Sequence, residues 1–308
     1  MEEKKSGGSL ISSGHTIADA ASVEEGGRTF HGYKEGQYLL PNDAVEQNRL
    51  DLQHQVFLLL LDDKLSWAPV VEPKYVLDIA TGTGMWALEF AEQNPQSHVI
   101  GTDLSLIQPS RDGLTNCEFI REDAEDQWIF SHKFDYIHLR AILTCFNDCK
   151  AVFQQCFDNL NDGGYIEIQG FVGTVLSDDG TLDNTALARC AELTFHALSK
   201  FGKDMFRLMK YTQWLKEIGF VDIVEQRLPA PINTWPADKK FKKIGMYTCA
   251  DMSDAMEATA AKIYPALGLS TEEIGQLVKQ AQIDLRNSDI HAYLTFSVIY
   301  AKKPASCT

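Results

Sequence analysis

Positive charge is what this chain has least of. Its 308 residues include 28 Lys and Arg against 43 Asp and Glu, a formal net charge of −15. A surface this acidic repels phosphate backbones, which argues against nucleic acid as the main ligand. The one cationic run, Lys239, Lys240, Lys242 and Lys243, falls on a helical segment and reads as a solvated face. Long apolar runs are missing too: the longest, Val56 to Leu61, is six residues, where a bilayer span needs about 18. The seven cysteines are scattered and include no Cys-x-x-Cys pair, so neither a disulfide framework nor a zinc ribbon is supported. The opening Met1-Glu-Glu-Lys-Lys-Ser-Gly-Gly is too polar for a signal peptide. These absences predict a soluble, cytoplasmic protein with no membrane partner.

What remains is ordinary globular composition, 44% hydrophobic and 23% charged, enough to bury a core without staples. Residues 1–30, rich in Gly, Ser, Glu and Ala, read as a flexible tail, and one domain is expected over 31–308. Within it, residues 31–72 are expected to form a helical cap. Asp43 with Glu46 makes a capping-box start, and Leu50, His54, Phe57 and Leu61 follow at helical spacing.

From Tyr75, strand-like and helix-like runs alternate. Strands are expected at Tyr75–Ile79, His98–Thr102, Cys117–Arg121, Phe134–Leu139 and Tyr165–Gln169, with the clearest helices at Met85–Gln93 and Lys150–Leu160. That alternation implies right-handed crossovers and a parallel sheet covered on both faces, an α/β fold. Thr212–Ile218 reads as a helix stopped by Gly219, followed by strands at Phe220–Gln226 and Ala292–Ala301. The helical stretches 174–205 and 228–290 are not needed by the sheet and are expected as lid or substrate-pocket insertions.

Val76-Leu-Asp-Ile-Ala-Thr-Gly-Thr-Gly-Met-Trp-Ala87 carries the most chemistry. A buried strand runs through Asp78 into Ala80, Thr81, Gly82, Thr83 and Gly84, where backbone amides can approach a ligand at a helix N-terminus. Gly82-x-Gly84-x-x-Ala87 also satisfies the dinucleotide fingerprint, which keeps a nicotinamide oxidoreductase open. No Lys or Arg occurs from Tyr75 to Ser110, however, so a pyrophosphate would meet a carboxylate and no side-chain cation. S-adenosylmethionine carries a sulfonium and an ammonium and no phosphate, and suits such a turn. Asp103 ends the second strand, where a carboxylate can accept two ribose hydroxyls. Asp123 follows the third strand, where it can accept an adenine amino group.

Other candidates are weaker. Arg140 ends the fourth strand on the ligand edge, as a cofactor or substrate contact. His138, two residues before it, and His54, on the first helix, are candidate bases, although a packed core histidine is the commoner fate of each. Tyr38 is a candidate cofactor contact and Gln169 a candidate substrate contact. Cys145 and Cys149 lie one helical turn apart but lack partners for a metal, and none is expected. Trp214, Trp235 and the segment Met246–Met256 read as lid core.

Taken together the sequence resembles a class I methyltransferase, and more narrowly the fungal LaeA-like methyltransferases of secondary metabolism. The likeness runs through Tyr38-Leu-Leu-Pro-Asn-Asp43, Arg49–His54, Leu77–Gly84, Gly101–Pro109, Phe134–Arg140, Gly163–Gln169, Ser177–Leu182, Trp235-Pro236 and His291-Ala-Tyr293. Ala80 stands where the family usually has a turn glycine, and Asp162 where it often has proline; an alanine is expected to sit in ordinary β or α geometry. The resemblance implies a Rossmann-like, mostly parallel sheet of seven strands with the last inserted antiparallel. It implies S-adenosyl-L-methionine as cofactor, with Asp78 and Gly82–Gly84 along its methionine part, Asp103 and Leu104 at the ribose, and Asp123 with Ala124 at the adenine. The implied activity is in-line methyl transfer to a small, mostly apolar, secondary-metabolite-like acceptor. Two alternatives stay open: a cofactor-binding regulator acting through protein partners, for which the family also implies a nuclear location, and a non-methylating rearrangement on the same fold. A protein partner or a homo-oligomer is compatible with the chain.

Overall fold

The strand-like runs from Tyr75 onward become strands of one sheet, with helices bridging some of the gaps and loops the others. The computed structural model describes residues 22–306. A two-stranded hairpin, β1 (Val23–Glu25) and β2 (Arg28–Phe30), comes first, followed by α1 (Ala44–Leu60), β3 (Tyr75–Ile79), α2 (Met85–Gln93), β4 (His98–Asp103) and β5 (Cys117–Arg121). Then come β6 (Phe134–Arg140), α3 (Cys149–Asn159), β7 (Leu160–Ser177), α4 (Ala186–Lys200), α5 (Tyr211–Ile218), β8 (Val221–Pro231), α6 (Lys239–Ile263), α7 (Thr271–Arg286) and β9 (Ala292–Lys302).

The seven later strands form one sheet in the order β5-β4-β3-β6-β7-β9-β8. Neighbours from β5 to β7 pair in parallel, and β9 runs antiparallel between β7 and β8. The seven-stranded expectation and the inserted last strand are both realised. Because β3 has β4 on one side and β6 on the other, the strand order reverses there, and a crevice opens beyond the carboxyl ends of the strands. Gly219 stops α5 at φ 117°, as expected, its amide donating to the carbonyls of Leu215 and Lys216.

Three boundaries differ from expectation. The N-terminal tail expected through residue 30 lies outside the described residues up to 21, but residues 23–30 are the β1–β2 hairpin. Arg28 of that hairpin pairs with Asp43 at 2.5 Å and holds its carboxyl down to about 2, while Asp43 accepts from the Glu46 amide to cap α1. The cap over 31–72 holds a single helix, and residues 31–43 are irregular apart from turns. Strand β7 runs on to Ser177 and β8 to Pro231, so residues 174–177 and 228–231 are strand, not helical insertion. Their ladder partner is β9, with Ser177 opposite Ala292 and Pro231 opposite Tyr293. Pro229 and Pro231 are tolerated in β8 because it is an edge strand.

Beneath the crevice sits the main core, including Leu77, Ile79, Ile137, Leu139, Ile166 and Ile168 from three adjacent strands. The helices α4, α6 and α7 pack a second core of their own around Leu187, Ile263, Tyr264, Val278 and Leu285. Met246 points outward at 54% exposure, so the Met246–Met256 segment is not uniformly interior.

Candidate active site

The turn after β3 is locked from the next strand. The Thr81 amide donates to the Thr102 carbonyl at 3.0 Å, and the Gly82 amide donates to Asp103 Oδ2 at 2.9 Å. Gln108 Nε2 donates to the Gly82 carbonyl at 2.6 Å. Gly82 (φ 59°) and Gly84 (φ 77°) are left-handed, and a Cβ on Gly84 would come within 2.5 Å of the Phe119 ring. Gly84 thus serves close packing and the start of α2, and it does not line the cavity. Ala80 departs from expectation: its φ of 55° is in the left-handed region, not in β or α geometry. A non-glycine residue there costs roughly 1–2 kcal/mol. Ala141, after β6, repeats the strain at φ 55°.

The cavity spans the ends of β3, β4, β5 and β6. Its floor includes Ala80, Gly82, Asp103, Leu104 and Ala124. Asp103 is held at both oxygens, Oδ1 accepting from the Ser105 amide at 2.9 Å, and burial pushes its carboxyl up to about 6. Asp123 lines the far end. Burial would raise it, but Lys34 Nζ at 2.6 Å and Gln37 Nε2 at 2.9 Å bring it below the usual carboxylate value. Tyr38, Pro41 and Asn42 from the irregular segment and Arg49, Leu50 and Gln53 from α1 close the top, and Ala255 from α6 closes one side.

Toward the first helix the cavity adjoins a smaller polar hollow lined by Asp78, Thr81 and Thr83 and sharing Arg140. Asp78 accepts from Thr81 Oγ1 and lies 2.7 Å from His138 Nδ1. The Arg140 guanidinium sits 5.0 Å over the Phe57 ring and has no carboxylate partner among the described residues; burial pushes it down to about 10, with Asp78 and Glu89 pulling the other way at longer range. Arg49 is the contrast: fully engaged, it bonds Glu46 at 2.7 Å and Asp251 at 2.6 Å, tying α1 to α6.

The structure therefore brings together most of the residues that the sequence singled out; besides Gly84, three stand apart. His138 is fully buried behind Asp78, stacked on Trp86 with ring centroids 3.7 Å apart. His54 is 1% exposed and faces Glu89 at 3.0 Å. Gln169, also fully buried, donates to Leu65 O and Glu167 Oε1. None of the three lines the cavity, because each side chain is spent within the layer between sheet and helices. Conversely, the roof from residues 31–43 was anticipated only at Tyr38. The one signal for it was the block ending at Asp43, since pairs such as Lys34–Asp123, 89 residues apart, leave no periodic mark.

One observation separates two ligand classes. The Gly82 amide, which would face a phosphate in a dinucleotide site, is already taken by a carboxylate that itself borders the cavity. The comparisons agree: a methyltransferase-domain family model matches residues 52–226. The chain belongs to this methyltransferase family. It is 36% identical to the methyltransferase pytC of Aspergillus terreus, over 90% of this chain and 87% of that one. It is 31% identical to the protein-methionine methyltransferase laeA of Emericella nidulans, over 91% of this chain and 76% of that one. Among solved structures it is similar to a Haemonchus contortus phosphoethanolamine N-methyltransferase holding S-adenosylhomocysteine, with a TM-score of 0.54 and 18% identity. That match covers 88% of this chain and 59% of the other, and carries the fold alone. S-adenosylmethionine is the family's methyl donor. The residues here fit it: a carboxylate for a diol, an uncompensated Arg140 for a carboxylate, and a Gly82 amide taken by an acid where a phosphate would seek it.

Proposed function

We propose that the protein transfers a methyl group from S-adenosylmethionine to a small-molecule acceptor. When bound, the cofactor supplies an electrophilic methyl group on a sulfonium that leaves as a neutral thioether. Asp103, preset by the Gly82 and Ser105 amides, accepts from the ribose hydroxyls. Asp123 and Ala124 border the adenine, with Leu104 and Tyr38 against the nucleoside. Arg140 pairs with the methionine carboxylate, and the hollow beside Asp78, Thr81 and Thr83 takes the ammonium. Residues 31–43 and α1 exclude water, so that alignment carries most of the rate. His54 and His138 hold the wall and take no proton from the acceptor.

The observation that supports this reading best is the Asp103 carboxylate, fixed at both oxygens and bordering the cavity. Titration calorimetry tests it. S-adenosylmethionine should bind and NAD should not, and Asp103→Ala should weaken binding by about a hundredfold, as loss of hydrogen bonds to a charged group implies. No binding by the intact chain overturns the assignment.

We place the reaction in a reducing compartment, cytosol or nucleus. The six described cysteines are all free, and no helix among the described residues is long and apolar enough to cross a membrane. The net charge of −15 supports an acceptor other than nucleic acid.

A further inference from the structure

Beside the cofactor cavity lies a second pocket that no step above uses. It is framed by the end of β7, by α4, by α6 and by β9, and Ala255 walls both pockets. Its walls include Val175, Leu187, Ala191, Met205, Met252 and Met256. The polar residues on it are Thr174, Thr194, Thr259 and Cys190. Burial pushes the Cys190 thiol up, so it stays neutral at neutral pH. No Asp, Glu, Lys, Arg or His lines it, in a chain where 23% of residues are charged.

We infer that this pocket is the acceptor site, and that it selects an uncharged, largely apolar, ring-sized molecule. The inference rests on the methyltransferase reading and goes beyond it in assigning the place and the charge of the acceptor. Three observations carry it. Ala255 is common to both pockets, so the two adjoin there, and an acceptor reaching past this small side chain can meet the methyl group directly. A charged group placed here would be desolvated with no partner. Three of the seven methionines of the chain line the pocket, and their flexible, polarizable thioethers adapt to flat apolar ligands of varied outline. Apart from Met205, which follows α4, the lining comes from the far parts of β7 and β9 and from α4 and α6.

Two probes that share a ring system and differ in charge test this on the full chain. With S-adenosylhomocysteine saturating, 2-naphthol should bind by calorimetry and 2-naphthoate should bind at least about tenfold more weakly, since its carboxylate loses its hydration unpaired. Ala191→Trp fills the pocket and should abolish 2-naphthol binding while leaving the affinity for S-adenosylmethionine within about twofold. Should that variant not fold, Met256→Lys, which puts a cation on the wall, should reverse the preference toward 2-naphthoate. Equal binding of the two probes, or 2-naphthol binding that survives both substitutions, overturns the acceptor assignment. Failure of S-adenosylmethionine to bind the unaltered chain instead sinks the cofactor reading, and the same naphthol titrations without S-adenosylhomocysteine then read the pocket by itself.

Discussion

The backbone amide of Gly82 donates to the carboxylate of Asp103 at 2.9 Å, joining the turn after β3 to the end of β4. One bond does two things. It removes the amide that an anion would seek, and it orients an acid toward the cavity. An adenosyl donor with a diol and a positive charge is what such a turn can hold; a pyrophosphate is what it turns away.

The same acid predicts a pH dependence. Burial raises the Asp103 carboxyl to about 6 in the unliganded protein. Donation from ribose hydroxyls favours the ionised form, so binding lowers this value and releases a proton. Affinity for S-adenosylmethionine is then full above pH about 6 and falls as pH drops through it, by roughly tenfold per unit at most. Calorimetry across pH 5 to 8 in buffers of different ionisation enthalpy checks this, and Asp103→Asn should flatten the profile.

Arg140 discriminates between parts of the donor. Arg140→Met should weaken S-adenosylmethionine by about ten- to a hundredfold, the worth of a charge-assisted pair in a half-buried site. It should leave 5′-methylthioadenosine, which has no amino-acid carboxylate, unchanged. Equal losses for the two ligands would place Arg140 elsewhere than at the carboxylate.

Ala80 stores strain. At φ 55° a glycine is at ease and an alanine is not. Ala80→Gly should stabilise the fold by about 0.5–1 kcal/mol once the extra freedom of glycine in the unfolded chain is subtracted. Ala80→Val should destabilise it by about 2 kcal/mol or more, because a β-branched residue fits that region worst. Urea melts of the three proteins measure both.

Arg49 is buried between Glu46 and Asp251, and it links α1 to α6 across the mouth of the cavity. Arg49→Ala leaves two buried acids facing each other and should cost about 3–5 kcal/mol. Replacing all three together by Met, Gln and Asn at positions 49, 46 and 251 should recover most of the loss, as measured by chemical denaturation.

Local patterns carried the interior of the sheet. β3, α2 and the edge strand β5 lie where apolar runs, alternation and the glycine turn put them, because alternation, helical period and left-handed glycines act over a few residues. The acids at the strand ends were legible for the same reason: in parallel strands a terminal side chain shares an edge with its neighbours, whatever the distant packing. Asp123 was the partial case, since its place on that edge was legible but its bonds to Lys34 and Gln37 were not.

Long-range contacts settled the rest. Strand β8 continues through two prolines because β9 is there to pair with it, and the hairpin before α1 exists because Arg28 finds Asp43. His54 and His138, eligible as bases on pattern alone, are withdrawn from chemistry by Glu89 and Asp78. Composition and short-range geometry thus specified an acid-edged parallel sheet and the kind of donor it accepts. Which side chains line the cavity, and which small residue borders both pockets, depended on packing between segments far apart in the chain, whose energetics no local repeat encodes.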